Sequence, residues 1–142
     1  MKATSPIIAV SCWLITLAAL ADEPTRREWT VDGVTREGLV AAPASAKTSP
    51  APVIFAFHGH GGTTRHAART MPYYTLWPEA IVVYLQGLNT PGHITDPDGK
   101  RTGWQRTAGD QNDRDLKFFD AALASLKSDY KVDDRRIYST GH

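Results

Sequence analysis

Two uninterrupted apolar runs stand out along this chain, Val53-Ile54-Phe55-Ala56-Phe57 and Ala80-Ile81-Val82-Val83-Tyr84-Leu85. Short runs with no polar face, bounded by proline or by glycine-bearing loops, predict strands covered on both sides, as in the interior of a parallel sheet. The rhythm changes after Asp113. Leu116, Phe119, Leu123, Leu126 and Tyr130 recur at steps of three or four, while Lys117, Asp120, Lys127 and Asp129 fall elsewhere. That spacing predicts an amphipathic helix with one apolar stripe, opened by Asp113 and Asp115 at its positive end. A shorter helix is predicted over residues 65–70, capped by Thr63 or Thr64 and stopped at Met71-Pro72.

Turn chemistry orders these elements. Trp29-Thr30-Val31 and the run 34–40 flank Asp32-Gly33, whose two positive-φ positions predict a type I′ hairpin. Residues 22–28 read as a loose polar lead-in. Residues 41–52, with three prolines among Ala, Ser and Thr, read as a linker in which no folded element is needed. Residues 86–112 form a long loop rich in Gly, Pro, Asp, Asn and Thr, and a loop of that length in a compact domain is functional or disordered. Asp96-Pro97-Asp98-Gly99 is a turn within it, and Trp104 and Gln105 favour order. Residues 132–136 read as a turn and Ile137-Tyr138-Ser139-Thr140 as a third strand, followed by Gly141-His142. Strand, loop, helix, strand after an antiparallel hairpin is the grammar of an α/β fold: a hairpin leading into a parallel sheet with flanking helices.

Composition narrows the class. The chain has 142 residues, a net charge of +1, 42% hydrophobic and 9% aromatic residues, an ordinary globular profile. Residues 1–21 differ from the rest: Lys2, an apolar core and Ala19-Leu20-Ala21 read as a signal peptide cut before Asp22, which predicts a secreted product, extracellular or periplasmic. Cys12 is the sole cysteine and lies inside that leader. What remains, residues 22–142, has no thiol nucleophile and equal numbers of acidic and basic side chains. It therefore gives no electrostatic case for nucleic acid or for stable membrane association as partner.

The chemistry is expected where the first apolar strand discharges into His58-Gly59-His60-Gly61-Gly62. Glycines let main-chain N–H groups approach an anion, so the loop suits three uses. It can cradle phosphate, but the P-loop and dinucleotide fingerprints are absent. It can offer His58 and His60 to a metal, but a third ligand at a recognisable spacing is missing. It can meet the oxyanion of acyl transfer. Asp110, Asn112 and Asp113 suit helix capping better than calcium, whose full loop pattern is missing. Tyr73, Tyr74 and Trp77 read as core.

The H-G-x-G-G run resembles the oxyanion loop of α/β-hydrolase lipases and esterases. Taken with Gly103-Trp104-Gln105, Gly109-Asp110-Gln111-Asn112-Asp113 and the stretch from Tyr130 through Ile137-Tyr138-Ser139-Thr140-Gly141, it is similar to the secreted poly(3-hydroxybutyrate) depolymerase and feruloyl or acetylxylan esterase family. The resemblance covers most of residues 29–142. It implies the N-terminal part of an α/β-hydrolase fold, truncated, and a serine carboxylic-ester hydrolase acting on polyester or plant-cell-wall acyl esters. By the same resemblance the main-chain N–H of His60 is an oxyanion donor and His58 braces the loop through its ring. Trp104 and Gln105 are placed near the substrate, and no cofactor or metal is implied. The nucleophile would follow His142, and its Asp and His partners lie further on, so the chain alone is expected to be inactive. The competing expectation is an exported module that binds a polymer or anion without chemistry.

Overall fold

The computed structural model describes residues 22–92 and 94–141. The leader read over residues 1–21 and the terminal His142 lie outside the described residues.

The hairpin β1 (Thr25–Val31) and β2 (Val34–Ala41) opens the chain. Asp32 and Gly33 both have positive φ, 50° and 78°, the backbone of a type I′ turn. β1 begins at Thr25, earlier than the polar composition of residues 22–28 suggests. Thr25 pairs with Val40, and Arg26 meets Glu37 across the hairpin and Glu28 along its own strand, so charge pairing carries the strand outward from its apolar end.

β3 (Ala51–Phe57) and β4 (Ile81–Leu85) are the two apolar runs, and they pair in parallel from Val53↔Ile81 to Phe57↔Leu85. β2 joins β4 antiparallel, and β7 (Val132–Gly141) joins β3 parallel. The sheet order is therefore β1-β2-β4-β3-β7. A two-stranded ribbon, β5 (Leu88–Asn89) and β6 (Thr102–Gly103), stands apart within the long loop.

The period-2 alternation of β3 and β4 divides the core into two layers. Val53, Phe55, Ile81, Val83 and Leu85 face α3 (Arg114–Asp129), where Phe118, Ala122 and Leu126 meet them. Ile54, Ala56, Val82 and Tyr84 face the other way, onto α1 (Thr64–Thr70) and α2 (Tyr73–Leu76). Tyr73, Tyr74 and Trp77 pack against this second layer. Tyr84 is wholly buried and its hydroxyl donates to the Met71 carbonyl at 2.6 Å, an arrangement that burial backs by pushing its pKa up to about 12.

Three expectations are corrected. Residues 41–52 are not an unstructured linker. A 3₁₀ turn at Ala44–Lys47 buries Ala46 completely, the Lys131 N–H donates to the Ala46 carbonyl, and the Ala51 N–H donates to the Lys131 carbonyl. The segment is stapled to the end of α3, because its backbone groups are buried and must be paired. Residues 132–136 are not a free turn, since β7 starts at Val132 opposite Ala51 and shifts register before Val53↔Ile137. Asp133 absorbs the irregularity, accepting from the Arg135 N–H and from Arg136 Nε.

The helix α3 keeps most of the expected stripe, with Leu126 buried and Phe119, Leu123 and Tyr130 packed against the core, but Leu116 is turned out. Its buried positions are Asp115, Phe118, Ala122 and Leu126, while Leu116 is 48% exposed. The cause is ionic. Arg36 on β2 is only 2% exposed, and its guanidinium meets Asp115 at 2.7 Å, lies over the Phe118 ring, and donates to the carbonyls of Arg114 and Gln86. A buried cation needs a buried partner, and turning Asp115 inward turns Leu116 out.

Candidate active site at the ends of the central strands

Strand β3 ends at Phe57, and the glycine loop begins at the sheet's C-terminal edge, where ligands gather in open parallel sheets. The loop is a tight turn. The Gly62 N–H donates to the Gly59 carbonyl at 2.9 Å, and a Cβ on Gly62 would lie 2.9 Å both from that oxygen and from the His58 Cβ, so only glycine fits. Gly61 has φ +76° and donates to the Thr102 carbonyl, while the Thr102 hydroxyl returns a bond to the Gly62 carbonyl. The ribbon residue Thr102 thus clamps the loop from its far side. With Gly61 and Gly62 committed, the main-chain N–H of His60 finds no acceptor among the described residues.

The His58 ring is enclosed and fully employed. Its Nδ1 lies 2.8 Å from the Gly59 carbonyl, and its Nε2 receives the main-chain N–H of Gly87 at 3.0 Å and the Gln86 side-chain amide at 3.1 Å. A main-chain N–H can only donate, so Nε2 accepts and the proton sits on Nδ1. Burial lowers the ring's pKa, partly offset by the Gly59 carbonyl. Both ring nitrogens are used, Nδ1 as donor and Nε2 as acceptor, which leaves this imidazole nothing with which to hold a metal ion or take a proton from a nucleophile. Gln86 accepts from the Thr64 N–H, so the same amide ties His58 to the start of α1. Thr63 caps that helix by accepting from the His66 N–H.

The His60 ring turns the other way, to the surface. Its Nε2 meets Asp96 at 3.1 Å, and Asp96 also accepts from the main-chain N–H groups of Lys100 and Arg101. These donors, led by Lys100, hold the Asp96 carboxyl below its ordinary pKa. The result is a clip that fastens the turn around Asp96 onto the glycine loop.

Trp104 and Gln105 follow β6 but do different things. The Trp104 indole N–H donates to the His58 carbonyl at 2.8 Å, and its ring stacks near His58 and edge-on to Phe57. It also lines an open cleft of about 390 Å³ shared with Gly59, His60, Pro91, Ile94, Thr95 and Arg106. Gln105 serves α3: its Oε1 accepts from the Asp115 and Leu116 N–H groups, and its Nε2 donates to Thr107 and Asp113. Gln105 is thus the helix cap in practice. Asp113, expected to cap, instead accepts from the Gly109 N–H with a left-handed backbone, as have Gln111 and Asn112 before it. Among the described residues, no group of three or more His, Cys, Asp or Glu could hold a metal ion.

On the other side of the loop, β7 runs parallel to β3 with Gly141 beside Phe57, and a second hollow joins Gly141 to His58, Gly59 and His66. The end of β7 and the glycine loop therefore open onto one space. Sequence reasoning placed His58, His60 and Trp104 at this edge. It missed Gln86, Asp96 and the Arg36–Asp115 pair, none of which carries a local pattern.

A mixed sheet with parallel central strands, helices on both faces and a glycine loop at the strand ends is the architecture of the α/β-hydrolase fold. Solved structures of similar fold include an S-formylglutathione hydrolase from Agrobacterium tumefaciens, 14% identical with a TM-score of 0.58 over 89% of this chain and 50% of that one. A CE1 ferulic acid esterase from Anaeromyces mucronatus is 13% identical with a TM-score of 0.59, again over 89% of this chain and 50% of that one. A thermostable esterase from Pseudomonas putida is 20% identical with a TM-score of 0.51, over 89% of this chain and 35% of that one. At these identities the likeness is one of fold, and the chain spans half or less of the length of each. No family profile and no curated protein matches the sequence.

Proposed function

We propose that this chain supplies the oxyanion-loop half of a secreted serine carboxylic-ester hydrolase acting on polyester or plant-cell-wall acyl esters. The observation that carries the reading is the His60 main-chain N–H, left without an acceptor among the described residues, in a residue that lines a cleft together with Trp104. In this reading a serine follows His142 on the turn after β7, next to that N–H. Attack on the ester carbonyl moves an electron pair onto its oxygen, and the His60 N–H meets the charge together with the N–H of the residue after the serine. Preorganisation is supplied by His58, whose ring fixes the loop and takes no part in proton transfer. One such donor contributes about 3 kcal/mol to the transition state.

The neighbours of similar fold that carry esterase or hydrolase names support the reaction class, and the sequence resemblance supports the substrate class. The test is hydrolysis of a short p-nitrophenyl ester by the 142-residue product and by a product extended along its reading frame past His142. Turnover should appear only in the extended protein and should vanish when the serine after His142 is replaced by alanine. Serine-dependent turnover by the 142-residue product, or a reading frame that closes at His142, overturns the reading.

A further inference from the structure

Among the described residues, two guanidinium groups near the glycine loop have no ionic partner. Arg106 lines the same cleft as Trp104, and its side chain makes no hydrogen bond or ion pair with any described residue. Arg101 lies across the loop, its Cδ 3.5 Å from where a Cβ on Gly61 would stand, and only its main chain is bonded, to Asp96 and Thr90. Asp96, a carboxylate of the same loop, is already occupied by His60 and two main-chain N–H groups. Pro91, the Trp104 ring and Ile94, which is 91% exposed, give the cleft an apolar share of its lining, beside the polar Thr95 and His60. An exposed isoleucine and an arginine with no partner among the described residues line one cleft, which therefore offers apolar surface together with one positive charge.

Resting on the ester-hydrolase reading of this cleft, we infer that Arg106 is a specificity residue, and that the preferred substrate is an ester carrying a free carboxylate a few bonds from the scissile carbonyl. Guanidinium presents a planar fork that receives a carboxylate through two parallel N–H bonds, which a lysine cannot imitate. A neutral ester of the same length would fill the apolar wall and leave the fork in water. The carboxylate can sit on the acyl part or on the alcohol part of the ester, and two probes separate these.

The experiment is binding to the 142-residue chain, followed by the indole N–H signal of Trp104 in a nitrogen-15 spectrum at fixed ionic strength. Monoethyl succinate places the carboxylate on the acyl side and 3-acetoxybutyrate on the alcohol side; diethyl succinate and ethyl 3-acetoxybutyrate are the neutral controls. At least one anionic probe should bind about tenfold more tightly than its neutral partner, the usual gain from a hydrogen bond to a charged group. Arg106→Gln should erase that gain and leave the neutral esters unaffected, with Arg106→Lys recovering only part. Equal binding of anionic and neutral probes, or an undiminished preference in Arg106→Gln, overturns the assignment while leaving the ester cleft intact. Failure of all four probes to move the Trp104 signal overturns both. Arg106 is exposed, so a circular-dichroism spectrum unchanged from the parent is expected and guards the comparison.

Discussion

The main-chain N–H of Gly87 approaches Nε2 of His58 to 3.0 Å, and that single donor decides which nitrogen of the ring carries the proton. With Nε2 accepting, Nδ1 is left to donate to the Gly59 carbonyl, at the first turn of the glycine loop. A neutral imidazole thereby connects the end of β4 to the end of β3, and the loop inherits its position from both strands. Protonating the ring would place a proton on Nε2 against the Gly87 N–H, and both would be donors.

This gives a pH dependence with a definite sign. Burial holds the His58 pKa below its ordinary value of 6.5. Between the two values the unfolded chain binds the proton and the folded chain does not, so the stabilisation is complete above 6.5 and is lost as pH falls toward the folded value. Urea midpoints measured from about pH 8 down to about pH 5 should fall through this window. In His58→Asn the protein should be weaker throughout but should lose that step. A parent whose midpoint is flat over the same range would contradict the assigned tautomer.

Asp115 is the second place where a substitution should be costly. It neutralises the buried Arg36 at 2.7 Å and accepts from the Gln105 N–H with its other oxygen. Asp115→Ala strands a buried guanidinium, and breaking such a pair from one side costs about 3–5 kcal/mol. Removing both charges, in Arg36→Met with Asp115→Leu, should recover much of the loss, because the penalty comes from the orphaned ion. Urea unfolding of the single and double variants reads this directly. A double variant as unstable as Asp115→Ala would show that the pair contributes through packing geometry instead.

The same pair explains why part of the structure could be read from the sequence and part could not. β3 and β4 were legible because a strand buried on both faces must be apolar at every position, and the type I′ turn because Asp32-Gly33 meets its backbone requirement locally. The glycine loop was legible for the same local reason. The packed face of α3 was legible at Phe119, Leu123, Leu126 and Tyr130 but not at its first turn, because hydrophobicity cannot announce that an aspartate faces inward there. That orientation is set by Arg36, far away in sequence on β2. The 3₁₀ turn at Ala44–Lys47 escaped notice because its partners lie at Lys131, beyond the reach of composition. In the site, Asp96 read only as a turn residue, since its bond to His60 exists only once β5 and β6 fold the long loop back.

That folded-back loop yields the last prediction. Gly103 lies on β6 directly against the His60 ring, and a Cβ there would stand 2.8 Å from Nδ1. Gly103→Ala must therefore push the ring away from Asp96, releasing the clip without touching either partner. Asp96 keeps its bonds from Lys100 and Arg101, so the turn itself should survive while its attachment to the glycine loop fails. The peptide bonds after Lys100 and Arg101 are trypsin sites on that turn, and brief trypsin treatment of the native chain should cut there faster in Gly103→Ala than in the parent. His60→Ala should show the same acceleration, because it removes the other half of the contact. The two changes together should be no worse than either alone, since both act on one interaction. Additive acceleration would mean that Gly103 positions the ribbon independently of the His60–Asp96 contact.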